Sequence, residues 1–347
     1  MKKIVLGQMI IILAVLSLGV ADVASGHHSA LMFDTDRLVR IEGRLTQFEY
    51  TNPHAYLTLE TTDDNGEVVI WELETVAALT LRRRSVLESD LVVGEWIYVE
   101  AYPPRNAARR LASAEIITKL DGTRLMVGFQ GGTSDLEIPA PSVAAVASNL
   151  SGIWLAGSGL GQLAFPELSD SWPLTEKGKD ALERYDVSQN PWVNCVLYAP
   201  PAMMLLGEIK LVDIGETAVV IRSQREDGER VIYIDGREHP ENVERSTQGH
   251  SIGHWEGRAL VVDTTHFTEH AKGIGLHGVP GGVSKRLTER FELSEDGTKI
   301  HYSFAVEDPE YLTSSVTGDS DWGYRPDLEL ETATCDPEVA RKFLDAI

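Results

Sequence analysis

Hydrophobic and polar positions alternate in short runs over most of the chain, the pattern of half-buried strands rather than helices. "VRIEGRLTQFEY" (39–50), "HAYLTLETT" (54–62) and "EVVIWELE" (67–74) open the series, the last two joined by "DDNG" (63–66). Asp/Asn-Gly between alternating runs predicts a hairpin, and Gly43 inside the first run marks a bend or bulge. "TVAALTLRRRSVL" (75–87) interrupts the alternation and predicts a helix with Thr75 as its N-cap. "EWIYVEAYP" (95–103) and "RRLASAEIITKL" (109–120) then return to strand. The order β-β-β-α-β-β with a long, bent first strand is that of a small OB-like barrel, and an independent α+β sandwich fits nearly as well.

Periodicity disappears in "GFQGGTSDLEIPAPSVAAVASNLSG" (128–152), which reads as a linker. A helix is predicted at "LTEKGKDALERYD" (174–186), and from Met203 onward short strands follow one another with glycine turns between them. They include "TAVVIRSQ", "RVIYIDGREH", "SIGHWEGRALVVDTTHF", "KRLTERFELSEDG" and "TKIHYSFAVEDPE". Strands without helices between them predict an antiparallel meander, and closing it removes the exposed edges. The expectation is a larger antiparallel, lipocalin-like β-barrel, with a β-sandwich as the alternative.

The first 26 residues stand apart. Lys2 and Lys3 precede an apolar run, Ile4 to Val20, and "ADVASG" supplies small residues for cleavage. That order predicts a secretory signal peptide and a periplasmic or secreted protein with no stable membrane anchor after cleavage. The alternative is a retained anchor. The division that results is 1–26 leader, 27–127 OB-like domain, 128–149 linker and 150–347 larger barrel.

Net charge is −22, unevenly spread. Residues 27–125 hold 11 Lys/Arg against 16 Asp/Glu, while residues 126–347 hold 18 against 36. An acidic surface repels phosphate backbones, which excludes nucleic acid as a partner. The two cysteines, Cys195 and Cys335, invite one disulfide in an oxidising compartment. Closing a loop of that length is worth at most about 4–5 kcal/mol in the chain-entropy picture.

His27-His28-Ser29 after the leader, Asn52-Pro53-His54 after the first strand, Trp71, Gly94 and Asp121-Gly122 together resemble a bacterial secreted domain family of unknown function. The second unit resembles another uncharacterised secreted group, through Gly253-His254-Trp255-Glu256-Gly257, the strand Leu260 to Thr264 and Asp308-Pro309. His254 stands where that group has arginine. Gly152-Ile153-Trp154 is similar to the Gly-x-Trp that begins lipocalin chains. These resemblances imply export and the division into two units, and no activity.

Candidate chemistry centres on histidine. Cleavage after Gly26 would make His27 the first residue, so that its amine and imidazole, with His28 or His54, could hold copper in a T-shaped set. Cleavage after Ser25 would place His28 third, where an amine, two amides and its imidazole can wrap Cu(II) or Ni(II) in a square plane. Cleavage after Ala21 would remove both options. His250 and His254, and His266 and His270, each show H-x3-H spacing, which brings rings together on a helix but separates them along a strand. Asp263, a carboxylate in the apolar "LVVDTT", is a candidate general base with His254 or His301 as partner. No nucleophile elbow, phosphate loop or dinucleotide fingerprint is present.

Three functions stay open at this point. The first is an exported binding protein, with copper at His27, His28 and His54 and a small apolar ligand in the larger barrel. The second is a secreted hydrolase- or isomerase-type enzyme centred on His250, His254 and Asp263. The third is an interaction module docking on an envelope protein partner.

Overall fold

The computed structural model describes residues 33–63, 65–129, 145–156, 172–185, 190–224, 228–270, 273–274, 279–331 and 335–342. The leader, His27 and His28, and most of the 128–149 linker lie outside them. Two closed β-barrels make up the described fold.

The smaller barrel is built from β1 (Val39–Glu49), β2 (Tyr56–Thr62), β3 (Val68–Glu74), β4 (Trp96–Tyr102) and β5 (Leu111–Lys119), with β6 (Arg124–Met126) added beside β5. β1, β2 and β3 pair in sequence, β4 returns to β1, and β5 closes the ring between β4 and β3, as an OB-like barrel requires. Inward positions of β1 alternate as the sequence pattern demands, and Leu45, Leu57, Leu59, Leu73, Ile97 and Val99 are fully buried. The hairpin at 63–66 is tied by Asp63 Oδ1, which accepts from the amides of Asn65 and Glu67, both at 2.9 Å. Two details differ from expectation. The bulge in β1 falls between Leu45 and Gln47, whereas Gly43 is where β2 approaches too closely for a side chain: a Cβ there would stand 2.4 Å from the Glu60 carbonyl. The helix α1 (Ala78–Arg83) has Ala77 at its N-cap, because the Thr75 hydroxyl is buried and bonded instead to the carbonyls of Ala55 and Val76.

The larger barrel has nine strands: β7 (Gly152–Ala156), β8 (Ile209–Ile214), β9 (Ala218–Ser223), β10 (Glu229–Tyr233), β11 (His250–Glu256), β12 (Ala259–Thr265), β13 (Arg286–Leu293), β14 (Lys299–Glu307) and β15 (Val316–Tyr324). Each pairs with its neighbour in sequence, and β15 returns to β7. Before β8 come α2 (Glu176–Glu183), whose cap Thr175 accepts from the Gly178 amide, and the short α3 (Ala202–Leu205). Trp154, Phe291, Tyr302 and Trp322 pack in the interior. The meander is antiparallel at every pairing but one. A ring of antiparallel neighbours alternates direction and so needs an even number of strands. With nine strands one pair must run parallel, and it is β10–β11, with Ile232 opposite Ser251 and Tyr233 opposite Ile252. The five-stranded ring obeys the same parity, and its parallel pair is β3–β5.

Cys195 and Cys335 are joined, as expected. Past the bridge, α4 (Pro337–Arg341) reaches the smaller barrel: the Tyr56 hydroxyl donates to the Val339 carbonyl, and Lys342 pairs with Glu49 at 3.2 Å.

Candidate functional site at the parallel seams

Parallel neighbours cannot be joined by a tight turn; the chain must cross from one end of the barrel to the other. Residues 234–249 do this for β10 and β11, and they run over the outer wall. The end of the crossover is fastened to the end of β12: Ser246 bridges Phe267, the Thr268 amide donates to the Ser246 carbonyl at 2.9 Å, and Arg245 donates to the carbonyls of Phe267 and Val283. Gly249 makes the fit possible. Its φ is +71°, and a Cβ there would stand 2.6 Å from the Thr265 carbonyl.

On β11, His250, Ile252 and His254 face outward while Ser251 is buried; on β12, Val261, Asp263 and Thr265 share the outward side. The crossover lays His239 across this wall. His239 Nδ1 and His250 Nδ1 are 2.8 Å apart, so one ring donates and the other accepts. His239 Nε2 is buried without a hydrogen-bond partner, 3.6 Å from Asp263 Oδ2. Arg286 on β13 grips that carboxylate through two bonds, 3.0 and 2.5 Å. His266, just past β12 in the left-handed region (φ 60°), holds Thr265 Oγ1 at 2.8 Å through Nδ1. Its ring centroid lies 6.0 Å from that of His239 and 6.3 Å from that of His250. Tyr233 stacks on His250 at 5.3 Å between centroids, and the Arg237 guanidinium lies over the Tyr233 ring, 3.8 Å from its centroid. Burial lowers the basicity of His239, outweighing the attraction of Asp263 with help from His266 and Arg286, and burial together with His239, His266 and Arg237 lowers that of His250. Both rings are therefore favoured as neutral donors and acceptors.

Beside the imidazoles a groove of about 550 Å³ opens on the outer wall, floored by Ile252, Val261 and Ala305 and rimmed by Arg237, Asp263 and Arg286.

The inner side of the same seam is closed by charge. Arg230 on β10 donates to Ser251 on β11 (3.2 Å), to Thr264 (2.9 Å) and to Glu289 (2.7 Å), whose carboxylate also accepts from the Tyr302 hydroxyl at 2.9 Å.

At the seam of the smaller barrel, Glu74 on β3 stands opposite Ser113 on β5. Its carboxylate is 4% exposed and bonds His54 Nδ1, while its second oxygen is buried without a partner. The His54 ring rests edge-on against Phe129 and is 24% exposed. A carboxylate on Nδ1 fixes the tautomer and leaves Nε2 with its lone pair, the usual support for a metal-binding imidazole.

Of the residues singled out from sequence, His250 and Asp263 each approach His239 on the outer wall, and His54 stands at the other seam. His254 does not join them: it is two-thirds exposed and turns to Glu256, although it borders the groove near Asp263. His301 pairs with Asp321; His250 and His254 part along β11, and past β12 His266 holds Thr265 while His270 donates to the Leu197 carbonyl. His239, Arg286 and Glu74 were not anticipated as site residues, and His266 stood out only for its spacing from His270. Among the described residues no group of three or more His, Cys, Asp or Glu side chains could hold a metal ion.

Residues 14–112, which include β1 to β4, match the model of a family of unknown function, DUF6152. No curated protein matches the chain. The matched segment contains His54 and Glu74 and excludes the entire nine-stranded barrel.

Proposed function

We propose that this chain is an exported binding protein whose recognition site is the outer groove at the β10–β11 seam. The carrying observation is the Arg286-clamped Asp263 carboxylate and Arg237 around an apolar floor, in a groove of the size that small ligands occupy, with the His239–His250 pair beside it. The ligand class that fits is a small organic molecule with an apolar body and one polar or charged end. The interior of the barrel, filled by Trp154, Phe291, Tyr302, Trp322 and the Arg230–Glu289 pair, favours the outer wall over the lumen as the place for it.

Export to the periplasm is supported by the charged and apolar order of residues 1–26 and by the cysteine pair, which suits an oxidising compartment. Copper at His27, His28 and His54 remains part of the proposal, supported by the Glu74 anchor behind His54. The test is native mass spectrometry of protein recovered from the periplasm. Wild type should carry a small molecule that the Asp263→Ala/Arg286→Ala double variant releases; retention by that variant, or none in wild type together with no stabilisation by any amphipathic small molecule, refutes the groove.

A second reading is favoured by the line Arg286–Asp263–His239–His250, which is suited to passing a proton along paired imidazoles. It calls for turnover of the groove ligand that His239→Gln abolishes without abolishing binding.

A further inference from the structure

The tail that follows the disulfide meets the smaller barrel on a wall that calls for a cation. Glu49 on β1, Tyr56 on β2 and Glu74 on β3 stand side by side in one row of the sheet. Glu72 shares the face of β3 that carries Glu74, two residues away. Three carboxylates therefore flank one phenol ring, and one oxygen of the almost wholly buried Glu74 has no hydrogen-bond partner. Burial and the charges of Glu74, Glu49 and Glu72 push the pKa of the Tyr56 hydroxyl up, so it stays a donor, and it donates to the Val339 carbonyl of α4 at 3.3 Å. The cation is Lys342, just past α4. Its ammonium lies 3.2 Å from both carboxylate oxygens of Glu49, 3.8 Å from Glu72 and 4.7 Å from the centre of the Tyr56 ring. A cation over an aromatic face with carboxylates beside it is a recurrent way of recognising an amine.

What holds the tail there is covalent and polar, not apolar. No residue of α4 is buried. Asp336 caps the helix by accepting from the Glu338 amide, Arg341 donates to Asn194, and Cys335 is bonded to Cys195, the next residue. Lys342, Glu49 and Glu72 all keep part of their side chains in water, and ion pairs of that kind are weakly held and exchangeable. We propose that the wall formed by Glu49, Tyr56 and Glu72 is a recognition site for a lysine side chain presented by another polypeptide, occupied here by the chain's own tail as a strap that the Cys195–Cys335 bridge latches in place. The bridge acts by proximity: it fixes Cys335 seven residues before Lys342 and so keeps that ammonium beside the wall at high effective concentration. A competing lysine enters when the strap is loosened. The site lies on the smaller barrel and is separate from the groove at the β10–β11 seam.

The test is a fluorescence-anisotropy titration of the full chain with a labelled, end-capped peptide of residues 336–342. Its side chains carry two charges of each sign, so general attraction to an acidic protein does not drive binding. Wild type, with its wall occupied, should take the peptide poorly. The triple variant Cys195→Ser/Cys335→Ser/Lys342→Ala should bind it at least 10-fold more tightly, and Lys342→Ala alone, which keeps the bridge, should fall between the two. Adding Glu49→Gln and Glu72→Gln to either variant should return binding to the wild-type level, as should Lys342→Met in the peptide. Hydrogen exchange should rise in residues 336–342 of Cys195→Ser/Cys335→Ser while β1 to β5 stay protected. Circular dichroism separates an opened strap from an unfolded chain, and if loss of the bridge prevents folding, Lys342→Ala carries the test by itself. Folded variants that bind the peptide no better than wild type overturn the proposal, and so does binding indifferent to Glu49 and Glu72 or to the peptide's lysine.

Discussion

In the five-stranded barrel the carboxylate at the parallel seam, Glu74, alternates with the core residue Leu73 and so leaves the interior, yet it is almost wholly buried and sealed against His54. In the nine-stranded barrel the seam turns Arg230 and Glu289 inward and leaves its histidines and Asp263 on the outer wall. Parity requires one parallel pair in each ring, so both chains of strands need a long connection. The two connections differ in what they become. Residues 75–110 form α1 and β4, and β4 is itself a barrel strand. Residues 234–249 form neither helix nor strand and lie across the wall, adding His239 from a direction no strand can reach. A connection absorbed into the ring contributes to the core; one left outside it contributes a site.

The largest effect is expected at Arg230, which staples β10 to β11 on the inside, where the parallel ladder has only the pairings of Ile232 and Tyr233. Arg230→Met strands Glu289 as a buried, unpaired charge, a loss of about 3–5 kcal/mol. Denaturant unfolding should show that loss, and hydrogen exchange should place it in β10 to β13 while β1 to β5 stay protected. Replacing Glu289 by Met as well should recover most of it. Next in size is a pH dependence centred on Lys285. Lys285 is fully buried beneath Phe267, donating to the carbonyls of Pro200 and Gly273, and burial holds its amine down at about 7, against the pull of Asp308 and Glu289. The unfolded chain keeps that proton up to about pH 10.4. Between about 7 and 10 the unfolded state therefore binds more protons, and stability rises with pH, by up to about 1.4 kcal/mol per unit. Lys285→Met should flatten that slope. An unchanged slope in the variant assigns the titration elsewhere.

Strand positions, the hairpin at 63–66, the helix at 176–183 and the cysteine pairing were legible because each rests on local pattern or on simple counting. Thr75 misled because a hydroxyl can satisfy a buried carbonyl as well as a helix amide, and only packing decides. The seam site was legible in part. His250 and Asp263 stood out as polar residues in strand sequence, yet their partner His239 sits in "REHPEN", which has no periodicity to single it out. What joins them is the odd number of strands in a closed ring, a property of the whole second unit that no window of sequence displays. Glu74 was hidden for a related reason. In "EVVIWELE" it lies on the same strand face as Glu72, which also pairs with β5 yet is only half-buried, and its bond to His54 belongs to tertiary packing that the strand pattern does not show.

Gly249→Ala sharpens the comparison at the outer wall. The substitution forces a side chain into a left-handed backbone against the Thr265 carbonyl, a strain of about 1–3 kcal/mol. Hydrogen exchange should rise in residues 234–250 with little change inside the barrel, since Arg230 holds the inner side independently. If β12 and β13 lose protection together with the crossover, the outer wall is part of the barrel's structural closure rather than a site laid upon it.

The finest test makes the same change of acid to amide at both seams. Glu74→Gln removes the charge from a carboxylate that is almost wholly buried, whose bond to His54 has no competing water; the loss should be about 1–3 kcal/mol. Asp263→Asn acts on a pair in which Arg286 is 59% exposed, so solvent replaces most of what is lost, and the cost should stay under about 1 kcal/mol. Thermal unfolding of the two variants side by side reads the difference directly. Equal losses would mean that Asp263 is as structural as Glu74, and the outer seam would then have no reserve of stability to spend on holding a ligand. A near-silent Asp263→Asn leaves that carboxylate free to serve the histidines, since a group that the fold does not need has its geometry explained by what it faces.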